Sequence, residues 1–297
     1  MDWASLALAS AVLLGVYHLA VKHAVHGNAV LPVLFLANLC SAAVWIGLLA
    51  LDRLGPGLPE VLRVAPLGLR EHGLVALKSG LVGLSWLCAY FAVKHLPLSL
   101  AAPTRATGPV WTLLGAVLLL GERPDAVEFL GIAVTLLSFY GLSVAGAKEG
   151  VHFRRNGWVW LLLAGTLLGS ASGLYDRYLL HFRGLDAATV QAWFSIYLAL
   201  FFLPLAIGWR LRAATREPFT WRGSIVGVSL ALLAADFLYF HALRDPDALV
   251  SLVASLRRGS VLIAFAGGIW LFREPHGGRK LPAVLGIVAG ITLTLLG

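Results

Sequence analysis

The chain has 297 residues, of which 59% are hydrophobic and only 13% are charged. Soluble domains carry roughly 25% charged residues, so this composition excludes an ordinary soluble protein and indicates that lipid is the solvent. The net charge of +8 does not indicate nucleic-acid binding, because Lys and Arg are scattered at the ends of apolar segments without a basic stripe or interleaved aromatic residues.

Ten apolar segments are candidate membrane spans, because a helix needs about 20 apolar residues to cross the bilayer. They occupy residues 3–20, 30–51, 74–93, 98–120, 126–144, 158–180, 187–209, 224–243, 248–272 and 281–296. Transmembrane strands would show about ten residues of alternating polarity and are therefore excluded. The first segment follows Met1 and Asp2 without a basic region or a cleavage site, so we expect it to stay as a membrane span.

The most polar interruption lies at residues 148–157 and divides the chain almost in half. A shift of 152 residues places Arg105 on Arg257 and Glu122 on Glu274, so charged residues keep one register between the halves. We therefore predict two related domains, residues 1–147 and 158–297, joined by a polar linker at 148–157. Five spans per half is an odd number, which predicts inverted repeats suited to alternating access at a midplane site.

One motif, present in both halves, resembles a known family. It runs from Leu96-Pro97-Leu98-Ser99-Leu100-Ala101-Ala102-Pro103 through Gly108-Pro109 to Leu120-Gly121-Glu122-Arg123-Pro124, and it recurs as Ser255-Leu256-Arg257-Arg258 through Leu271-Phe272-Arg273-Glu274-Pro275. This pattern resembles the EamA-type carriers of the drug/metabolite transporter superfamily. The resemblance implies an all-α polytopic membrane protein, with ten transmembrane helices as two inverted five-helix repeats, that moves an amino acid or another small metabolite.

Charged side chains inside the spans are the first candidates for a solute site, because a charge at the bilayer centre costs at least about 2.5 kcal/mol. Arg257 and Arg258 lie near mid-depth in the ninth span, and Arg105 is the repeat partner of Arg257. We predict that Arg105 and Arg257 anchor an anionic or carboxylate-bearing solute. Successive helical residues point about 100° apart, so only one of the two adjacent arginines is expected to face a narrow cavity.

Asp236 is the expected counter-charge for these arginines, and Tyr239 lies one turn away on the same face of the eighth span. The competing interpretation is an internal ion-pair network that locks helix packing and never contacts solute. Lys78 and Arg177 lie nearer span ends, from which long cationic side chains can reach the headgroups. Asp176 is expected to pair with a neighbouring cation.

Aromatic and imidazole side chains complete the candidate set. The candidates for an aromatic cavity wall are Trp86, Tyr90, Tyr17 and Tyr175. His18 and His241 are candidates for proton coupling, because imidazole titrates near neutral pH. Packing in the core or against lipid is the alternative interpretation for each of these residues.

Backbone-breaking residues in the fourth span predict a hinge. Pro103, Gly108 and Pro109 lie close together there, and each proline removes a backbone donor. Glu122 and Glu274 each stand just before a helix that begins with proline, where a carboxylate favours the helix dipole, so we predict that both act as caps.

Small residues at spacings of four predict close helix packing. They are Gly165, Gly169 and Gly173 in the sixth span, and Gly286 and Gly290 in the tenth. A homodimer seam along the tenth helix is the alternative for the last two, so both a monomer and a homodimer remain open.

Transport of a small-molecule solute, with export favoured, is the leading hypothesis. A lipid-headgroup flippase would share a basic cavity and is the alternative. An intramembrane enzyme is disfavoured, because no G-x-S-x-G, no H-E-x-x-H and no paired aspartates on one helix face occur. Cys40 and Cys88 lie in apolar runs without partner spacing, so we expect no disulfide, no metal site and no cofactor.

The expected location is a bacterial plasma (inner) membrane, with the lipid bilayer as a partner. The resemblance implies that both termini are cytoplasmic. With that topology the outer loops carry more Lys and Arg than the inner ones, which is contrary to the positive-inside rule. The two indications of orientation therefore disagree.

Overall fold

The computed structural model describes residues 2–25, 27–55, 57–95, 108–144, 156–212, 218–272 and 277–296, and within these ranges it is all-helical. The helices are α1 (Trp3–Val25), α2 (Val30–Leu54), α3 (Leu69–His95), α4 (Gly108–Gly115), α5 (Ala126–Val144), α6 (Gly157–Arg177), α7 (Ala187–Leu211), α8 (Ser224–Arg244), α9 (Val250–Arg257), α10 (Ser260–Phe272) and α11 (Gly277–Leu296). Two of them continue as a wider π-type turn, α4 through Leu120 and α6 through Phe182.

Several helices are long and apolar enough to cross a bilayer. Among the described residues these are Trp3–Val25, Val30–Leu54, Leu69–Ala89, Gly157–Phe182, Ala187–Leu211 and Ser224–Arg244, with shorter apolar helices at Val110–Leu120, Ala126–Ser138 and Leu281–Thr294. Large apolar side chains such as Leu54, Leu118 and Trp270 are at least 78% exposed. Exposed apolar surface on this scale needs lipid contact, so the chain is an integral membrane protein.

Helix boundaries agree closely with the apolar segments. The predicted starts are found for α1, α2, α5, α7 and α8, whereas α3 begins at Leu69 rather than at residue 74. The added first turn of α3 contains Arg70, Glu71 and His72, which are polar but fully compatible with a helix. The first ten residues of the predicted fourth span, 98–107, and most of the predicted linker lie outside the described residues.

The predicted ninth span, 248–272, is not one continuous helix. It breaks between α9 and α10. At the break, the N–H groups of Arg258 and Gly259 donate to the carbonyl oxygens of Ser255 and Leu256, which are three residues earlier in the chain rather than four. A Cβ on Gly259 would lie 3.1 Å from the Leu256 carbonyl oxygen and 3.1 Å from Ile291 Cδ1. Glycine therefore allows the tight turn that places the two arginines at a helix end.

Glycine contacts show how closely α5 and α11 pack. A Cβ on Gly290 would lie 2.6 Å from the backbone nitrogen of Thr135, and a Cβ on Gly131 would lie 2.5 Å from that of Thr294. Gly286 faces Ser138 in the same interface. Gly286 and Gly290 are therefore covered by α5 of their own chain, as the close-packing prediction requires.

Long helix pairs surround a shorter central set. α1 packs along α8, α3 along α6, α2 along α7 and α5 along α11. The short helices α4 and α9 contact each other between these pairs. A buried cluster that includes Ala7, Leu179, Leu243 and Val250 fills the end of the bundle where α1 and α9 begin. This arrangement places the N-terminus of α9 in the core and its C-terminal arginines further along the bundle.

Candidate functional site

A cavity of about 310 Å³ lies between α1, α3, α4, α6, α8, α9 and α10, and it extends from Tyr239 and Val250 toward the end of the bundle where α1 and α3 finish. Arginine, imidazole, aromatic and hydroxyl groups line it together. The polar and aromatic members are His18, Ser85, Trp86, Thr112, Thr166, Ser170, Tyr239, Arg257, Arg258 and Ser260. A polar cavity of this size in a membrane protein is the default candidate for a solute site.

Arg257 ends α9 and reaches the cavity with its guanidinium group held on two sides. Its Nη2 atom donates to Asp236 Oδ1 at 2.8 Å, and the group lies 3.9 Å from the centre of the Tyr239 ring. Both charged side chains are less than 20% exposed. Arg257 Nε is buried and has no hydrogen-bond partner among the described residues. The predicted counter-charge is thus in place, and one donor of the arginine remains unused.

Arg258 also lines the cavity, beside Gly108 at the start of α4. A Cβ on Gly108 would lie 3.2 Å from Arg258 Nη2, so the missing side chain makes room for the guanidinium group. The expectation that only one of the two adjacent arginines could face the cavity is therefore wrong. It assumed a continuous helix, whereas Arg258 lies in the turn after α9, and the cavity is wide enough for two long side chains.

Lys78 and Asp176 form a buried ion pair between α3 and α6, next to the cavity but outside its lining. Lys78 Nζ lies 2.5 Å from Asp176 Oδ1, and the two side chains are 2% and 6% exposed. The ammonium group also lies 4.2 Å from the centre of the Phe194 ring. The interpretation that the Lys78 side chain reaches the headgroups is therefore wrong. The Asp176 carboxylate on the neighbouring helix α6 neutralises the ammonium group inside the bundle.

Tyr239 connects this pair to the arginine site. Its ring supports Arg257, and its buried hydroxyl group lies close to the Asp176 carboxylate. The resulting chain runs from Asp236 through Arg257 and Tyr239 to Asp176 and ends at Lys78. Arg257 therefore belongs to an internal network of charged and aromatic groups and at the same time lines the cavity.

Arg177 is buried and anchors the connection between α8 and α9. Its guanidinium group donates to the carbonyl oxygens of Leu243, Asp245 and Pro246 at 2.6–3.0 Å. Only 4% of the residue is exposed. Snorkelling is therefore wrong for Arg177 also. The arginine thus binds carbonyl groups at the C-terminus of α8 and in the turn that follows it.

Glu122 is a cap, but of a different helix from the predicted one. Gly121 ends the π-type turn after α4 with φ of +70°, which turns the next carboxylate inward. Glu122 then accepts hydrogen bonds from the backbone nitrogen of Val250 at 2.6 Å and from the Ser251 hydroxyl at 2.9 Å. It therefore caps α9, in the other half of the chain, rather than α5. Helix α5 begins instead with the mutual capping of Asp125 and Glu128.

The aromatic and imidazole candidates differ in whether they line a cavity. Trp86 and His18 line the cavity, whereas Tyr17 lines a smaller neighbouring one. His241 Nδ1 lies 2.8 Å from the Phe237 carbonyl oxygen of its own helix, and the Tyr175 hydroxyl donates to the Leu74 carbonyl at 3.3 Å. Neither of these two residues is in the cavity lining.

Some predicted residues cannot be compared with the geometry. Pro103 and Arg105 lie outside the described residues. Tyr90 and Pro109 fall within α3 and α4, but their side chains also lie outside what the structure describes. Of the three predicted hinge residues, Gly108 is the one whose surroundings the structure describes, and it begins α4 and lines the cavity.

The hydroxyl groups of the cavity wall are not among the residues predicted from the sequence. Ser170 donates to the Gly108 carbonyl at 2.9 Å, Ser85 to the Gly165 carbonyl at 2.7 Å and Thr112 to Gly108 at 3.3 Å. Each hydroxyl donates its hydrogen to the backbone, and its oxygen can still accept a hydrogen bond. Ser170 lies between Gly169 and Gly173. A helix face of small and polar residues in the sixth span could therefore have predicted that this face lines a cavity.

Comparison with known proteins agrees with this architecture. Residues 1–144 match the EamA-like transporter family. The probable terminal-alkyne amino-acid exporter of Streptantibioticus cattleyicolor is 26% identical over 235 residues, covering 77% of this chain and 76% of the relative. A crystal structure with 20% sequence identity shares the fold with a TM-score of 0.72, over 99% of this chain and 96% of its own. Together with the polar cavity inside an all-helical membrane bundle, these similarities support a small-metabolite transporter whose first half resembles the EamA-like transporter family.

Proposed function

We propose that this transporter exports a carboxylate-bearing small metabolite, of the amino-acid type, by alternating access between two inverted five-helix halves. The observation that carries the proposal is the position of Arg257. It lines the cavity near the middle of the bundle, at a helix break, with its charge balanced by Asp236 and one donor unused.

A carboxylate suits this arginine for energetic reasons. Leaving a buried donor such as Arg257 Nε unsatisfied costs about 1–3 kcal/mol, which a bound carboxylate oxygen would recover. Arginine presents paired donors in one plane. Nε and Nη2 can therefore bind both oxygens of one solute carboxylate once the Asp236 carboxylate has moved away from Nη2. Asp236 then acts as the internal substitute that neutralises Arg257 while the site is empty.

The exporter that resembles this chain supports the same substrate class. Its name specifies an amino acid as the solute, and every amino acid carries the carboxylate that Arg257 is suited to bind. Arg258, Ser170 and Thr112 offer further polar contacts around that group. The cavity volume of about 310 Å³ leaves space for a molecule of several non-hydrogen atoms together with water.

The helix contacts support inverted halves. If residues 1–147 and 158–297 are related by a two-fold axis in the membrane plane, α1 corresponds to α6, α3 to α8, and α4 to α9 with α10. The pairing of α1 with α8 then mirrors that of α6 with α3, and α1 with α10 mirrors α6 with α4. The remaining pairs, α2 with α7 and α5 with α11, each join equivalent helices.

Two polar contacts between the halves support a closed end. Glu122 of the first half caps α9 of the second, and Lys78 of the first half pairs with Asp176 of the second. Both lie toward the end that the buried cluster around Val250 fills. In the opposite state of an alternating-access cycle these contacts separate. We further propose that this closed end is cytoplasmic, with both termini on that side of a bacterial inner membrane.

Export of a labelled amino acid from proteoliposomes tests the proposal. Arg257→Ala is expected to lower transport at least about 100-fold, because it removes the anchor and leaves Asp236 buried without its partner. Arg257→Lys keeps the charge but not the paired donors, so it is expected to be intermediate. Arg244→Ala is the matched control, since Arg244 and its partner Asp186 are more than 40% exposed. Full transport by Arg257→Ala would refute the anchor.

A further inference from the structure

A second cavity lies beside the main one, between α1, α2, α3 and α8. Its volume is about 20 Å³, enough for about one water molecule. Most of its wall is apolar and comes from Val21, Val33, Leu34, Ala37 and Val228. The main cavity, in contrast, carries two arginines and several hydroxyl groups. The two spaces therefore suit chemically different parts of a solute.

Trp86 stands between the two cavities. Among the described residues, it alone belongs to both linings. On the neighbouring helix α1, Tyr17 faces the small cavity and His18 faces the main one. The indole ring stacks against Phe202 of α7, with ring centres 6.2 Å apart and planes at 21°. The wall between the cavities is thus one aromatic side chain on α3 together with one turn of α1.

We propose that Trp86 sets the length of the apolar side chain that the carrier accepts, and that the small cavity is the beginning of a pocket for that chain. The inference rests on the proposed function, because it assumes that the carboxylate of the solute is held at Arg257. A solute with its carboxylate at the arginine end directs its aliphatic chain at the Trp86 ring. The indole ring limits the length of this aliphatic chain. The small apolar cavity on the other side of the ring would hold the end of a longer chain.

A series of straight-chain amino acids tests this inference in proteoliposomes. Each methylene that enters an apolar pocket strengthens binding about fourfold. Trp86→Ala joins the two cavities, so the transport efficiency of norleucine relative to alanine is expected to rise at least about tenfold. Trp86→Leu keeps an apolar side chain against Phe202 and is expected to give a smaller shift in the same direction. It replaces the alanine variant if that variant does not fold.

Two further variants distinguish the effect of removing the Trp86 ring from the effect of simply enlarging the main cavity. Leu14→Ala enlarges the main cavity without changing the wall, and the norleucine-to-alanine ratio is expected to stay within about twofold of wild type. Val228→Phe, added to Trp86→Ala, fills the small cavity from α8 and is expected to return the ratio to the wild-type value.

The outcomes distinguish the inference from the function on which it rests. If the wild type moves these amino acids and both Trp86 variants keep the wild-type ratio, the inference is overturned and the proposed function stands. If Leu14→Ala shifts the ratio as much as Trp86→Ala, the wall is not specific and the inference is again overturned. If the wild type moves no member of the series, the proposed function fails and the inference fails with it.

Discussion

Lys78 and Asp176 meet in a buried ion pair that joins α3 to α6, with the two side chains 2% and 6% exposed. Desolvating two charges is expensive, and the pair is stable only because each partner neutralises the other. Asp176 also lies close to the hydroxyl group of Tyr239, whose ring supports Arg257. The ion pair is therefore part of the same network that holds the cavity arginine.

Breaking this pair is expected to be costly, whereas removing it entirely is not. Lys78→Met leaves Asp176 buried and uncompensated, so the free energy of unfolding is expected to fall by about 3–5 kcal/mol. The double variant Lys78→Met with Asp176→Leu is expected to recover most of that loss. Unfolding in mixed detergent micelles measures both values. Arg244→Ala, which removes an exposed pair, is expected to cost no more than about 1 kcal/mol. Equal losses in the single and double variants would contradict the pairing.

The close approach of α5 and α11 gives a second prediction. Gly290→Ala would place a Cβ 2.6 Å from the Thr135 backbone nitrogen, and backbone cannot move aside as a flexible side chain can. Overpacking of this kind is expected to lower the free energy of unfolding by about 1–3 kcal/mol. Gly47→Ala in α2 meets no atom within 4 Å and is expected to be neutral or stabilising by up to about 1 kcal/mol. A neutral Gly290→Ala would show that α11 does not pack there.

The cap on α9 predicts how the closed end opens. Hydrogen bonds to a charged group are worth about 1.5–3 kcal/mol, so Glu122→Ala is expected to raise the population with this end open about 10–100-fold. A cysteine at Ala248, which is fully buried, reports the change as faster reaction with a water-soluble thiol reagent, once Cys40 and Cys88 have been replaced.

Glu128→Ala is the matched control for that experiment. Glu128 is a half-buried carboxylate, and its hydrogen bonds with Asp125 cap its own helix at the surface. Its loss is expected to leave the labelling rate at Ala248 unchanged. Slow labelling in both variants would mean that Glu122 does not hold the two halves together.

Gly108 gives a prediction about the cavity itself. Gly108→Ala crowds Arg258 Nη2, at 3.2 Å from the new Cβ, without disturbing a helix interface. The expected result is a half-saturation concentration for amino-acid export raised about tenfold, with thermal stability within the range of the wild type. Gly80→Ala, which meets no atom within 4 Å, controls for alanine in a membrane helix. An unchanged half-saturation concentration would place Arg258 away from the solute.

The sequence predicts helices well and contacts between helices less well. Apolar runs mark α2 and α7 correctly, because a membrane span must be apolar over its whole length. The same criterion places the start of α3 too late. The polar residues Arg70 and Glu71 belong to a first turn that emerges from the bilayer and is still helical. The criterion also misses the break after Arg257, which depends on the tight surroundings of Gly259.

The partners of buried charges were the least predictable part of the site. Asp236 could be paired with Arg257 because both lie at mid-depth in neighbouring spans. Lys78 and Arg177 were expected at the headgroups, because depth estimated along one helix says nothing about an acid or a carbonyl group on another. Glu122 was expected to cap the next helix in sequence and instead caps α9, because a chain reversal at Gly121 points it into the bundle.

Competition by an amino acid and by its carboxamide, in wild type and in Arg257→Gln, tests the anchor most directly. The carboxamide keeps the size and shape of the solute but removes the charge that Arg257 binds. The wild type is expected to prefer the carboxylate at least about 30-fold, and Arg257→Gln to reduce that preference to about threefold or less, as expected for the loss of a charge-assisted hydrogen bond. Equal competition by both compounds in the wild type, or a preference that survives in Arg257→Gln, would contradict a carboxylate site at Arg257.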